Sequence, residues 1–245
     1  MKIALIGHGK MGRTIERIAK ERGHEIVSVI DMDNQADFDS DAFRSADIAI
    51  EFTTPATAVD NYRRALEQGV SVVSGTTGWT ERMNEVKALV ENSGDLGLMW
   101  SSNFSLGVNI FFELSKQLSR MMAPFPQYRP YLTETHHIHK LDHPSGTAVT
   151  IAEGIVENSP RVGNWTEDVP AADDALIVSH ERRGEVAGIH TVTWDSPVDS
   201  ISITHSAKSR EGFALGAVVA AEWAQGRKGM LSMDMLMADL LNKAE

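Results

Sequence analysis

A short apolar run, residues 2–6 (K-I-A-L-I), passes directly into Gly7-His8-Gly9-Lys10-Met11-Gly12. Residues 13–22 follow, with Ile15, Ile18 and Ala19 at helical spacing. A strand, a G-x-G-x-x-G turn and a helix in that order commit the chain to a βαβ unit, because a neighbouring parallel strand is reached only through a crossover. Gly7 permits the tight turn, Gly9 lets the backbone approach a pyrophosphate, and Gly12 lets helix and strand pack closely. The helix N-terminus adds unpaired N–H groups and the positive end of its dipole.

A single glycine fingerprint is weak, and its context strengthens it. Residues 25–30 (E-I-V-S-V-I) read as a second strand with Asp31 at its end. An acid roughly 20 residues beyond such a fingerprint is placed to bond the ribose hydroxyls of NAD. No Arg or Lys occurs between Asp31 and Phe43, so a 2′-phosphate meets an acid without a neighbouring cation. The expected cofactor is therefore NADH rather than NADPH, with Lys10 and Arg13 as the residues that could still serve NADPH. Further strands are expected at 46–52, 70–74 and 96–100, with helices at 56–68 and 80–92. Their alternation implies a doubly wound parallel sheet of Rossmann type. Asp31, Thr53, Gly75-Thr76-Thr77 and Ser101-Ser102-Asn103-Phe104 all fall at the carboxyl ends of strands, where such sheets bind ligands.

Beyond residue 106 the pattern changes. A helix is expected over 106–122, a strand-like segment over 131–139, a helix over 147–157 and a polar surface loop over 158–174. Segments 176–179, 188–195 and 199–206 read as antiparallel strands, with period-2 alternation in Thr191–Trp194 and Ile201–Thr204. Helices close the chain at 211–223 and 232–241, the latter with a methionine stripe that reads as core. The expected organisation is α/β: residues 1–106, completed by about 216–245, form the dinucleotide-binding domain. Residues 107–215 form a smaller α+β domain with a mainly antiparallel sheet.

Within that second domain, residues 134–147 (E-T-H-H-I-H-K-L-D-H-P-S-G-T) hold four of the nine histidines. A metal site is one reading, with His136, His137, His139 and Glu134 as ligands. Neighbouring histidines on an extended segment point to opposite faces, and Lys140 would repel a cation. Surface histidines beside a turn are a second reading. An anion site is the third and the one favoured here. Pro144 can begin a helix, so Ser145, Gly146 and Thr147 expose N–H groups suited to a carboxylate. Lys140 adds charge, and a histidine titrating near neutrality, His136 or His137, can donate a proton. The chain carries a formal charge of −11, so a locally cationic segment stands out. The same charge argues against nucleic acid or an anionic membrane as partner. No cysteine is present, which excludes disulfides, thiolate nucleophiles and cysteine-ligated metals. No apolar run approaches the ~20 residues of a membrane span, and a cytoplasmic location is expected.

These motifs together resemble the 4-hydroxy-tetrahydrodipicolinate (dihydrodipicolinate) reductase family. They are Gly7-x-Gly9-Lys10-Met11-Gly12-Arg13, Glu51-Phe-Thr53-x-Pro55, Val73-Ser-Gly75-Thr-Thr-Gly78, Asn103-Phe-Ser-x-Gly107-Val-Asn109 and His205-x-Ala207-x-x-Arg210. The most specific is Glu134-x-His136-His137-x-x-Lys140-x-Asp142-x-Pro144-Ser-Gly-Thr147. The resemblance implies NAD(P)H-dependent reduction of an unsaturated cyclic dicarboxylate, with loss of water from the hydroxylated substrate, in lysine and diaminopimelate biosynthesis. By it, His136 and Lys140 are catalytic, His137 contacts substrate, and Gly146 and Thr147, with Ser145, hold a carboxylate. Gly7 to Gly12, Asp31, Gly75–Thr77 and Ser101–Phe104 line the dinucleotide. It further implies a homotetramer assembled through the second-domain sheet, with Ile201–Thr204 as a candidate contact strand. Three departures mark this chain: a glycine-rich loop one residue shorter, Glu51 where Asp is common, and Met32 where some members carry Arg.

Overall fold

The computed structural model describes residues 1–242. In chain order the elements are β1 (Lys2–Ile6), α1 (Lys10–Glu21), β2 (Glu25–Ile30), a 3-10 turn (Gln35–Asp39) and α2 (Asp41–Arg44). Next come β3 (Ile48–Glu51), α3 (Pro55–Glu67), β4 (Val72–Ser74), a 3-10 turn (Thr80–Arg82), α4 (Met83–Asn92) and β5 (Gly97–Trp100). After these follow α5 (Leu106–Met122), β6 (Arg129–His136), α6 (Gly146–Asn158), β7 (Asn164–Thr166) and β8 (Ala175–Arg182). The chain continues through β9 (Ile189–Asp195), β10 (Ser200–Ser206), α7 (Glu211–Ala224), β11 (Gly229–Leu231) and α8 (Met233–Asn242). It divides into two compact units: Met1–Leu106 with the segment from Glu211 onward, and Gly107–Arg210.

The first unit is built on a parallel sheet in the order β2-β1-β3-β4-β5-β11. Its strands are buried on both sides because their alternate residues enter two cores. Ile3, Leu5, Ile48, Ile50 and Val73 pack with Ile15 and Ile18 of α1, the alanines of α7 and Leu236 and Met237 of α8. Ala4, Ile6, Ala49, Val72 and Leu98 pack with Ala58, Val59 and Tyr62 of α3 and Val86 and Val90 of α4. Each fully buried Ile, Leu or Val contributes about 1.5–3 kcal/mol through removal from water. The strand order reverses between β1 and β3, which makes their carboxyl ends the ligand crevice of a doubly wound sheet. Register aligns Ile6 with Glu51, Glu51 with Ser74 and Ser74 with Trp100. The loops starting at Gly7, Phe52, Gly75 and Ser101 thus leave one common rim. Two small elements were not expected from sequence, α2 and β11. At four and three residues, both are too short to show a period.

The second unit holds a sheet in the order β10-β9-β6-β8-β7. The sheet is mixed, with the expected antiparallel pairing as its longer part: β10, β9 and β6 are antiparallel neighbours, whereas β6 and β8, and β8 and β7, are parallel. The cause is α6, which carries the chain from β6 back alongside it as a crossover helix. Strand β7 lies inside the stretch expected to be loop, and its three residues carry no alternation. One sheet face buries Leu132, Val178, Val192 and Trp194 against Ile151, Ala152 and Ile155 of α6 and Phe111 of α5. The other face is polar, with hydroxyl pairs Thr191–Thr204 at 3.0 Å and Thr193–Ser202 at 2.9 Å. Among the described residues, no helix is long and apolar enough to cross a membrane.

Candidate active site

Period-2 geometry builds the centre of the site. Leu132, Glu134 and His136 alternate along β6 and all turn inward. Leu132 enters the apolar core, and the next two inward positions extend that face into polar chemistry. Glu134 is 1% exposed and His136 7%. The Glu134 carboxylate accepts the Ser145 N–H at 3.1 and 3.2 Å. Three nitrogens stand close by: His136 Nδ1 at 3.4 Å, Arg182 Nη2 at 3.5 Å and His190 Nε2 at 3.6 Å. Burial opposes the charge on Glu134, but His190, Ser145 and His136 outweigh it and hold the carboxyl at about 2.

For His136 the balance runs the other way. Burial pulls the imidazole down to about 4; the Glu134 charge resists, while His190, Lys140 and Arg182 add to the fall. His136 is therefore neutral at physiological pH in the absence of ligand, and the expectation that it titrates near neutrality is corrected. The reason is desolvation, which a sequence pattern does not report.

Beyond His136 the strand ends and residues 137–145 form a pinned loop. Lys140 N–H bonds the His137 carbonyl at 3.1 Å, and Ile138 N–H bonds the Gly184 carbonyl at 3.1 Å. The Lys140 ammonium reaches both oxygens of Asp142, at 2.8 and 2.9 Å. Arg182 ties this loop to the strand: it donates to the Lys140 carbonyl at 3.2 Å and the Asp142 carbonyl at 2.7 Å while it faces Glu134. His137 is half-buried. His139 and His143 are exposed and pair with Glu185 and Glu167.

Ser145 departs from its expected role. It is the N-cap of α6, and its hydroxyl accepts the Ala148 N–H. Its own N–H is committed to Glu134. The hydroxyl also lies 3.3 Å from His190 Nε2, and the residue is 3% exposed, so both groups are engaged within the fold and the open donors at this helix start are the N–H groups of exposed Gly146 and half-buried Thr147. Sequence reasoning passed over the organising roles of Glu134, Arg182 and His190. His190 was legible in principle, because period 2 places it on the same face as Val192 and Trp194. Glu134, His136 and His190 bring one ligand atom each within 4.8 Å. The Arg182 guanidinium already stands against that carboxylate, which disfavours a metal there.

The first unit carries the features of a dinucleotide site. Gly7 has φ +94°, and a Cβ on it would sit 2.1 Å from the Phe52 carbonyl oxygen; a Cβ on Gly12 would sit 2.1 Å from that of Gly7. No side chain would fit at either place. At Gly9 a Cβ would meet nothing within 4 Å. Gly9 is the N-cap of α1 without a side-chain bond, and no acid stands in the first turn. The amide groups of Lys10 and Met11 are thus left facing open space, as a pyrophosphate requires. His8 bonds Glu16 at 2.7 Å, and Arg13 turns back to the His8 carbonyl at 3.2 Å. Asp31 follows β2, beside the Gly7 N–H that bonds Ile30 at 2.8 Å.

The loops after β3 and β4 are joined by Glu51, which is fully buried. Its carboxyl accepts from the hydroxyls of Thr53, Ser74 (2.6 Å) and Thr76 (3.0 Å). Thr76 Oγ1 in turn accepts the Thr53 N–H at 2.8 Å. Burial pushes the Glu51 carboxyl up, against the bonds from Ser74, Thr53, Thr76 and Asn61. Thr76 and Phe104 are buried, which leaves backbone rather than side chain to face a ligand, whereas Gly75 and Thr77 stay accessible. Ser101, Ser102 and Asn103 form a turn in which Ser101 Oγ accepts the Asn103 N–H at 3.0 Å. A polar residue ending the apolar run I-A-I-E, just before hydroxyl-rich loops, was the available signal for Glu51.

The comparisons with known proteins agree across both units. The family described as dihydrodipicolinate reductase, N-terminus, matches residues 1–104, and dihydrodipicolinate reductase, C-terminus, matches residues 107–237. A protein of Christiangramia forsetii named 4-hydroxy-tetrahydrodipicolinate reductase is 43% identical over 240 residues, covering 98% of this chain and 99% of its own. One of that name from Archaeoglobus fulgidus is 34% identical, covering 96% and 98%. Among solved structures, a dipicolinate-bound dihydrodipicolinate reductase from Paenisporosarcina sp. TG-14 superposes with a TM-score of 0.74. It covers 95% of this chain and 97% of its own at 23% identity, and so supports the fold. With both family regions matched in order and relatives aligned nearly end to end, the chain belongs to the dihydrodipicolinate reductase family.

Proposed function

We propose that this chain reduces 4-hydroxy-tetrahydrodipicolinate to tetrahydrodipicolinate, with loss of water, in lysine and diaminopimelate biosynthesis. The observation that carries the reading is the buried Glu134–His136 pair, set beside Lys140 and the open start of α6 within the matched C-terminal region. Bound NAD(P)H supplies the hydride. As negative charge moves toward the ring nitrogen and its carboxylate side, the Lys140 cation stabilises it. A dianionic substrate against His136 favours the imidazolium, so His136 gains its proton on substrate binding and is poised to give it up. Gly146 and Thr147 offer N–H groups to one substrate carboxylate, and His137 contacts the substrate. Ser145 supports them as the helix cap rather than as a ligand.

On the cofactor side, Gly7, His8, Gly9, Lys10, Met11 and Gly12 receive the pyrophosphate. Asp31 receives the ribose hydroxyls, and Thr53, Gly75, Thr76, Thr77, Ser101, Ser102, Asn103 and Phe104 line the rest of the rim. NADH is the preferred form. Cations that follow β2 in space are already engaged: Arg64 bonds the Gln35 carbonyl and side chain at 2.6 and 3.0 Å, and Arg44 bonds Gln68 at 2.8 Å. The partners are a small dicarboxylate and further copies of the chain, in a cytoplasmic homotetramer formed through the β10 side of the second sheet.

The test is an absorbance assay with freshly made 4-hydroxy-tetrahydrodipicolinate and each nicotinamide. His136→Gln lowers kcat, and Lys140→Ala lowers kcat and raises KM; full activity in both variants overturns the assignment. A kcat/KM with NADPH equal to or above that with NADH overturns the cofactor preference. Sedimentation velocity reads the assembly.

A further inference from the structure

A second histidine–carboxylate cluster lies outside the residues assigned to substrate. His143 precedes Pro144, Glu167 follows β7, and His180 lies on β8, so three separate segments of the second unit converge. The two imidazoles are stacked, with centroids 4.1 Å apart and planes 20° from parallel. Each turns the same nitrogen toward one carboxylate: His143 Nδ1 lies 3.1 and 3.2 Å from the two Glu167 oxygens, and His180 Nδ1 lies 2.9 Å from Oε1. Glu167 and His180 keep only 27% and 35% of their side chains exposed.

The His–Glu spacings are hydrogen-bond lengths that also fall near the ligand–ligand distances around a metal, and all three ligand atoms lie within 4.8 Å of one another. Zinc binds imidazole nitrogen and carboxylate oxygen at about 2.0–2.2 Å, which puts neighbouring tetrahedral ligands roughly 3.3 Å apart. Two imidazoles and a carboxylate are also a ligand set zinc uses when a fourth position is left to water. The neighbouring cations are held elsewhere: Lys140 by the Asp142 carboxylate and Arg182 by the Asp142 carbonyl.

We propose that His143, Glu167 and His180 form a surface site for one divalent transition-metal ion, zinc by ligand type, with its remaining position open to solvent. The ion takes the Nδ1 lone pairs: a neutral ring then carries its single proton on Nε2, and a doubly protonated ring releases one proton on binding. Because His143 lies two residues before the α6 cap, a bound ion ties the segment leading into that helix to β7 and β8. The proposal is independent of the reaction assigned to the chain.

Calorimetric titration of the full chain with ZnCl2 in a non-chelating buffer is expected to show one saturable site per chain with micromolar Kd. The thermal midpoint should rise with zinc, since a ligand of the native state stabilises it by mass action. His180→Ala and Glu167→Gln should each weaken binding by more than about tenfold and abolish the thermal shift. His139→Ala, at the other exposed histidine–glutamate pair, should leave both unchanged. Cobalt(II) in place of zinc should give the visible absorption of a tetrahedral nitrogen–oxygen site, lost in His180→Ala. Two results overturn the proposal. One is no saturable binding by the unaltered chain. The other is binding that survives both His180→Ala and Glu167→Gln but is lost in His190→Gln, which would place the ion at the buried Glu134 cluster.

Discussion

Glu51 and Glu134 are both acids buried near the carboxyl ends of strands, yet the two units treat them in opposite ways. Around Glu51 the partners are all neutral: the hydroxyls of Thr53, Ser74 and Thr76, and the Asn61 amide. Hydroxyls solvate a carboxylate only in part, so burial wins and the carboxyl moves up. Around Glu134 stand a backbone amide, two imidazoles and a guanidinium. Here the partners win, and the carboxyl sits at about 2. Burial sets the cost of charge in both places; the partners decide whether it is met. Glu51 is thus a brace that holds two cofactor-side loops together. Glu134 is a fixed anion that accepts from a helix cap and an arginine and faces two imidazoles.

Removing the anion gives the largest expected effect. Glu134→Ala leaves Arg182 and the Ser145 N–H without their buried partner, and such losses cost about 3–5 kcal/mol. Urea unfolding at pH 7 measures it. The isosteric Glu134→Gln should fold better but lose kcat by about 10²-fold or more, because an oriented histidine depends on its carboxylate. Rescue of kcat in Glu134→Asp, with Glu134→Gln still impaired, would separate orientation by charge from simple packing. Unchanged kcat in Glu134→Gln would erase the contrast with Glu51.

The same contrast predicts acid sensitivity with a definite sign. Glu134 titrates lower in the fold than its ordinary 4.5, so its contribution is complete above 4.5 and is lost as pH falls toward about 2. His136 is kept neutral down to about 4 against an ordinary 6.5, so the unfolded chain binds its proton first and stability also falls from pH 6.5 to 4. Both losses should appear in denaturation midpoints measured from pH 7 to pH 3. The His136→Gln variant should flatten the upper part of that curve. A midpoint independent of pH between 6.5 and 4 in the unaltered chain would contradict the buried neutral imidazole.

Arg182 supplies a smaller test, because two of its bonds go to loop carbonyls rather than to the acid. Arg182→Lys keeps a charge near Glu134 but cannot span both carbonyls and the carboxylate with one ammonium. The Lys140 loop should loosen, and KM should rise about tenfold, near 1.4 kcal/mol, with a smaller change in kcat. A kcat loss as large as that of Glu134→Gln would make Arg182 part of the chemistry instead of the loop's support.

How much of this was readable beforehand follows from the physics of each region. The parallel sheet is written in local patterns: apolar runs, glycines at the turn, and helix-spaced segments between them. The α1 start and the Gly7 and Gly12 contacts needed only the fingerprint. The mixed second sheet was not readable, because β6 and β8 pair across a crossover helix and no local period encodes which strand is the neighbour. In the site, the residues alone singled out Lys140 and left His136 and His137 as alternatives; the family resemblance chose His136. The neutral state of His136 could not be read, since it depends on burial and on His190 and Arg182, distant in sequence. Ser145 was misread for a related reason: its N–H is claimed by Glu134, eleven residues earlier, and its hydroxyl by the helix it caps.

The smallest effect belongs to Glu51, and its sign is the sharpest part of the comparison. A carboxyl whose pKa rises on folding contributes its stability below 4.5 and loses it as pH climbs through the raised value. Glu51→Gln keeps the shape, cannot ionise, and through its carbonyl can still accept from the two hydroxyls that share one oxygen, Thr53 and Thr76. Its amide N–H groups replace one acceptor by a donor, so about 1 kcal/mol of hydrogen bonding is at stake. Relative to the unaltered chain, the variant should be less stable near pH 4.5 and should gain as pH rises from there through the raised value. Glu134→Gln should show the reverse, with its deficit deepening from pH 3 to about 4.5 and staying constant from there to pH 7. Urea midpoints for both variants across that range decide it. Parallel curves would mean that the two acids share one charge state and that partner chemistry does not separate them.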